Sequence, residues 1–247
     1  MSTPTPPPRT AFDWALYADA TFAGLSILIP VPFLDSVFED YFNKRIAAAV
    51  ARRAGRALTP EVQAALHRED GWLSACLLWP VTLAWSLVKR VSKKLLYFLT
   101  IKEAADKLSY YWHRAFLLDY MLDAGHLDDA ATAALGRQAL AHTLNTAGIS
   151  PLTQLARQVA AGPKHIWRAL RRARRGQADP ELMAERERLA LGWESVGDYL
   201  AALAERYDHA YAQAFATRQA HLAAAEAEAA EARRRAQEAE QAQAASE

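Results

Sequence analysis

Helix breakers are scarce in this chain, and that scarcity limits its possible folds more than any other feature. Of 247 residues, 10 are glycine and 11 are proline, and four of those prolines fall between residues 4 and 8. Alanine fills 54 positions, and leucine, arginine and glutamate are the next most frequent. These residues lose little on entering a helix, whereas strands favour β-branched and aromatic types. The expected fold is therefore all-α: a helical bundle with a long C-terminal helix and a low-complexity Ala/Glu/Arg tail. The same composition argues against all-β and doubly wound α/β architectures.

Proline and glycine then punctuate the chain. Residues 1–10 read as a disordered, Pro-rich lead without the apolar run of a secretory signal. Thr59-Pro60, Ser150-Pro151, Gly162-Pro163 and Asp179-Pro180 each place a capping residue before a proline. Proline at the first helical position loses only an N–H that has no partner there, so these pairs predict helix starts. From Thr100 to Leu122, the residues Ile101, Ala104, Ala105, Leu108, Tyr111, Trp112, Ala115, Leu118 and Leu122 form one apolar stripe. Lys102, Glu103, Asp106, Lys107, Ser109, His113 and Arg114 fall largely off it, which is the pattern of a helix with one face to the core. Gly125 and Gly148 are expected stops. A helical body over 11–176 is followed by a heptad-like helix over 179–222 and a solvated or disordered tail over 223–247. In that helix Leu189, Trp193, Val196, Leu200, Leu203, Tyr207, Ala210 and Ala214 advance in steps of four and three. Gly192 and Gly197 weaken it. The 189–214 seam is a candidate surface for self-association or a protein partner.

Two uncharged stretches bear on location. Residues 20–34, ATFAGLSILIPVPFL, are too short for a helical span and contain Pro30 and Pro32. Residues 71–88, GWLSACLLWPVTLAWSLV, just reach the required length, with Pro80 near the middle and Trp72, Trp79 and Trp85 along them. Arginines at 52, 53, 56 and 68 lie on one side, and Lys89, Arg90, Lys93 and Lys94 on the other, so flanking charge selects no orientation. Attachment to one leaflet, burial in a soluble core and a kinked span all remain open.

The net charge is only +1, but its distribution is uneven. Residues 130–178 carry eight basic side chains and no acidic one, and residues 179–247 carry seven basic and fourteen acidic ones. Residues 71–102 are also free of acids. Within the basic block, Trp167 shares an apolar face with Ile166 and Leu170, edged by Arg168, Arg171, Arg172, Arg174 and Arg175. A tryptophan stripe bordered by arginine suits an anionic lipid surface. Phosphates of nucleic acid are the second fit, without any recognised module to support them. Neutralisation by the acidic tail is the plainer alternative.

No motif for nucleotide binding, hydrolytic nucleophiles, zinc proteases or calcium loops occurs. One cysteine, Cys76, rules out an internal disulfide and any paired-cysteine metal site. His126, Asp128 and Asp129 form the only local set of metal-ligating types, and they read better as a polar loop and helix cap. Asp40 and Lys44 have helix-surface ion-pair spacing. No catalytic, cofactor or metal site is expected.

Gly24, Ile29-Pro30-Val31-Pro32-Phe33-Leu34-Asp35, Arg45-Ile46-Ala47, Gly55, Leu58 and Thr59-Pro60 together resemble a pattern in bacterial EcsC-type helical proteins. They are also similar to helical membrane-associated domains appended to some bacterial GTPases. The resemblance covers about 40 of the residues. It implies a helical fold and membrane association, and no catalytic residue. The resulting expectation is a non-enzymatic scaffold or adaptor on the cytoplasmic face of a bacterial membrane. It would make lipid contact through Trp72, Trp79, Trp85, Lys89, Arg90, Lys93, Lys94 and the Trp167–Arg175 helix.

Overall fold

The computed structural model describes residues 7–26, 34–67, 93–148, 150–161, 187 and 189–244. The described residues form helices and connecting turns, with no strand among them. The helices are α1 (Trp14–Leu25), α2 (Leu34–Arg53), α3 (Pro60–His67), α4 (Lys93–Asp123), α5 (Ala130–Thr146), α6 (Pro151–Ala161) and α7 (Gly197–Ala244).

The sequence signals for helix ends act as expected where they are described. Thr59 Oγ1 accepts from the Val62 amide at 3.4 Å. Ser150 Oγ accepts from the Thr153 amide at 3.2 Å, behind Pro151. Asp129 caps α5 by accepting from the amides of Ala131 and Thr132 at 2.7 and 2.9 Å. Such caps satisfy amides that have no partner inside the helix. Gly125, at φ 77°, closes α4. The amide of His126 reaches the Met121 carbonyl at 2.9 Å and that of Gly125 reaches Leu122 at 3.2 Å, a stop that needs a left-handed residue. The Gly162 and Asp179 sites lie outside the described residues.

Helix α4 is the central post, in contact with α1, α2, α5, α6 and α7. Its whole expected stripe is buried apart from half-buried Ile101, and Phe116, Leu117, Tyr120 and Met121 are buried as well. From Tyr111 to Leu122 every residue except half-buried Arg114 is buried, so this part of the helix is enclosed on more than one face. Ser109 and His113, expected on its outer side, are also interior. Thr100, which with Glu103 has the Thr-x-x-Glu form of a helix cap, lies inside this longer helix.

Gly24 is where α1 meets α4. A Cβ there would stand 2.4 Å from the Leu108 Cα, so only glycine permits this separation of backbones. The first half of the 20–34 strip therefore belongs to the core. Ala20, Thr21, Ala23, Leu25 and Ser26 are buried, which removes them from any lipid contact. Residues 27–33 and the whole of 71–88 lie outside the described residues.

The expected single helix over 179–222 is instead interrupted. A turn at Ser195 and Val196 separates the helical residues 189–194 from α7, next to Gly197. The heptad seam is filled by the protein's own core: Leu189, Trp193, Val196, Leu200, Leu203 and Tyr207 are all buried. Pairing with another chain through 189–210 would have to displace that core. Beyond it α7 continues as helix through Ala244, so the tail is helical this far. The proline-rich lead is tied down at its end, where Arg9 pairs with Asp123 at 2.8 Å and Phe12 packs on Trp193 with ring centroids 5.3 Å apart.

Candidate functional site

The polar groups buried along α4 form the best candidate for a site, because burying them without partners would be costly. They fall into layers. Near the C-terminal end of α4, Arg53 of α2 bridges two carboxylates. Its Nη1 donates to both oxygens of Asp119 at 3.1 and 3.2 Å, and its Nε donates to Asp13 at 2.5 Å. Burial raises the Asp119 carboxyl above its ordinary range, against the pull of Arg53. The Tyr17 hydroxyl is buried nearby with no hydrogen-bond partner among the described residues, and burial followed by the Asp119 charge pushes its pKa well up. Trp193 lies against the Tyr17 ring at 4.2 Å and against Trp112 at 5.6 Å. Trp112 in turn donates to Thr21 Oγ1 at 3.0 Å.

The second layer joins α4 to α6 and α7. His113 Nδ1 lies 2.6 Å from the Ser109 carbonyl, an acceptor, so Nδ1 carries the proton and Nε2 is free to accept. The Tyr199 hydroxyl donates to Nε2 at 2.7 Å. Burial pushes the His113 pKa down to about 4, keeping the ring neutral. Ser109 Oγ and Thr153 Oγ1 are 3.0 Å apart, and Thr153 continues to Ser150.

The third layer lies where α4, α5 and α7 meet. His126 Nδ1 and the Tyr207 hydroxyl are 2.8 Å apart, and the imidazole stacks on Tyr211 with centroids 3.7 Å apart. Tyr120 donates to Asp208 at 2.6 Å. Burial lowers the His126 pKa and raises that of Tyr207. At the other side of α4, Glu39 accepts from Lys107 Nζ at 2.6 Å and from the Tyr111 hydroxyl at 2.7 Å.

Each histidine here meets a hydroxyl, carbonyl or ring rather than a second nitrogen or a carboxylate cluster. Among the described residues, no group of three or more His, Cys, Asp or Glu could hold a metal ion. Among the described residues, these layers join α4 to the helices around it. Of the three residues at 126, 128 and 129, Asp129 caps α5 as expected, whereas His126 joins the aromatic layer and Asp128 pairs with Arg56. Asp40 and Lys44 pair at 2.7 Å, also as expected. The Arg53–Asp119 and Glu39–Lys107 links cross between helices 66 and 68 residues apart, and no local spacing marks them.

Of the expected lipid-contact residues, Trp72, Trp79, Trp85, Lys89, Arg90, Trp167, Arg168, Arg171, Arg172, Arg174 and Arg175 lie outside the described residues. Lys93 and Lys94 open α4, with their side chains outside the description. No described helix is long and apolar enough to cross a membrane. The chain matches no family model, no curated protein and no solved structure.

Proposed function

We propose that the protein is a non-enzymatic helical scaffold or adaptor held on an anionic lipid surface, at the cytoplasmic face of a bacterial membrane. The placing of charge carries this reading, because bases gather in two acid-free stretches while acids elsewhere in the first half of the chain form ion pairs. Asp13 and Asp119 pair with Arg53, Asp19 with Arg45, Glu39 with Lys107, Asp40 with Lys44, Asp123 with Arg9 and Asp128 with Arg56. Seven of the fourteen acids of residues 1–129 are thus paired with bases of the same stretch. In the acidic tail, Glu226, Glu228, Glu231 and Glu238 lie on the exposed stretch of α7, and Glu231 is paired with Arg235. The eight bases of residues 130–178 and the five of residues 71–102 have no acid among them in sequence, a local charge that suits an anionic surface. Each base near an anionic membrane contributes about 1 kcal/mol, so a cluster suffices for reversible attachment.

Burial of Ala20–Ser26 favours a second reading, a soluble adaptor whose apolar strips are all core. Vesicle flotation separates the two. Wild type is expected to float with phosphatidylserine vesicles and not with phosphatidylcholine ones. A variant with Lys89, Arg90, Lys93 and Lys94 changed to Gln should float less. Failure of wild type to float with either lipid overturns the membrane reading. Tight, salt-sensitive binding to duplex DNA without flotation would point to nucleic acid instead.

A further inference from the structure

Helix α7 outgrows the body. Its first turns are core, with Leu200, Leu203, Ala204 and Tyr207 buried. Its last anchors are the Tyr211–His126 stack and a 3.3 Å hydrogen bond from Arg218 to the Ala131 carbonyl. From Phe215 to Glu238 every residue is exposed, including two large apolar ones, Phe215 at 47% and Leu222 at 49%. At 1.5 Å per residue, the arm from Phe215 to Ala244 is about 45 Å long.

Helical spacing places Phe215, Leu222, Ala225, Ala229, Ala232 and Ala236 on one side of the arm, the same side that carries Leu200, Leu203 and Tyr207 in the body. Glu226, Glu228, Arg233 and Arg235 border this seam, two on each flank. The geometry points to the arm as the docking site for a second copy of this chain, the two arms packed antiparallel.

Charge and shape both select that occupant. When Ala229 opposes Ala232 of the second copy, Glu226 faces the second copy's Arg233 and Glu228 faces its Arg235. The twofold axis repeats both contacts, as a self-complementary patch requires. The body sits on the seam side of α7. A parallel partner would bring its own body into that same volume, whereas an antiparallel partner carries its body past Ala244. The alanines let the two backbones approach closely, and the four Glu–Arg contacts fix the register. This pairing is independent of lipid, so it stands or falls apart from the attachment proposed above.

Sedimentation equilibrium of the full chain tests it. Wild type is expected to dimerise, and the double variants E226R/E228R and R233E/R235E should each raise the dissociation constant more than about tenfold. An equimolar mixture of the two variants should recover the dimer, because one arm is then wholly basic and the other wholly acidic at these positions. Far-ultraviolet circular dichroism of each variant confirms that the helices persist. A wild type that stays monomeric at its highest soluble concentration overturns the proposal, as does a dimer indifferent to both swaps. For orientation, A225C and A236C are placed singly in a Cys76→Ser background. Antiparallel arms link A225C to A236C across the mixture and leave two A225C copies about 16 Å apart along the axis. Efficient linking of A225C to itself overturns the antiparallel arrangement.

Discussion

Two long helices of this protein, α4 and α7, are made from different residues and held in place by different physics. Helix α4 spans 31 residues and is walled by five other helices, so its position is fixed by packing. Helix α7 spans 48 residues, and packing fixes only its first turns. The rest persists as helix on intrinsic propensity, because alanine, glutamate and arginine tolerate the helix without tertiary contacts and pairs such as Glu231–Arg235 add a few tenths of a kcal/mol. A helix fixed by packing responds to lost volume; a helix fixed by propensity responds to backbone freedom. The contrast also locates stiffness, with a cooperative body and an arm free to fray on its own.

Removing an aromatic ring from each helix should expose the difference most strongly. Trp112 is fully buried, touches Trp193 and donates to Thr21. Trp112→Ala is expected to cost about 3–5 kcal/mol, the usual range for emptying a large aromatic site. Phe215→Ala, on the exposed arm, should stay within about 0.5 kcal/mol in dilute solution. Urea midpoints of the two variants measure both. Similar losses would mean that the arm is as embedded as the body, and the comparison would fail.

Acid sharpens the same contrast, since it reaches the body through His113. In the folded protein this ring takes a proton only near pH 4, while in the unfolded chain it does so near its ordinary value of 6.5. Between those values the unfolded state binds the extra proton, so stability falls as pH drops through the window and levels off below it. The full loss from this group is about 3 kcal/mol. His67 and His126 are also lowered by burial and act in the same direction. His113→Gln keeps a neutral side chain there and should flatten the decline between pH 7 and pH 5. An unchanged slope would show that other groups govern it.

Why some of this was readable from sequence and some was not follows from the same two helices. The stripe on α4, the proline-led starts at Pro60 and Pro151, the Asp129 cap and the Gly125 stop are local patterns, and each is observed. Periodicity alone could not show that α4 is enclosed on its second side as well, because that depends on which helices gather around it. Ser109 and His113 therefore read as surface residues until α6 and α7 are in place. The 189–214 seam was legible as a helical face, yet nothing in a heptad says whether its partner is another chain or the same one. The continuous helix expected through that region breaks at Ser195, beside glycines already marked as weak points. The expected lipid-contact residues rest on charge and length arguments, and those concern what surrounds the protein rather than how it packs.

The smallest expected effect isolates the arm. Ala229→Gly removes no contact with the body, since Ala229 is exposed on a stretch that meets solvent all round in the monomer. Glycine in a helix interior costs about 1 kcal/mol relative to alanine, mainly through backbone entropy. In a helix held by packing, such a loss would be shared with the whole cooperative unit and would lower the unfolding midpoint. In a helix held by propensity it should stay local. Amide exchange in dilute solution is then expected to quicken about fivefold around residues 225–233, while exchange in α4 and the urea midpoint of the body stay unchanged. Slower unfolding of the arm than of the body, or a midpoint that falls with it, would place both helices in one cooperative unit and remove the distinction between them.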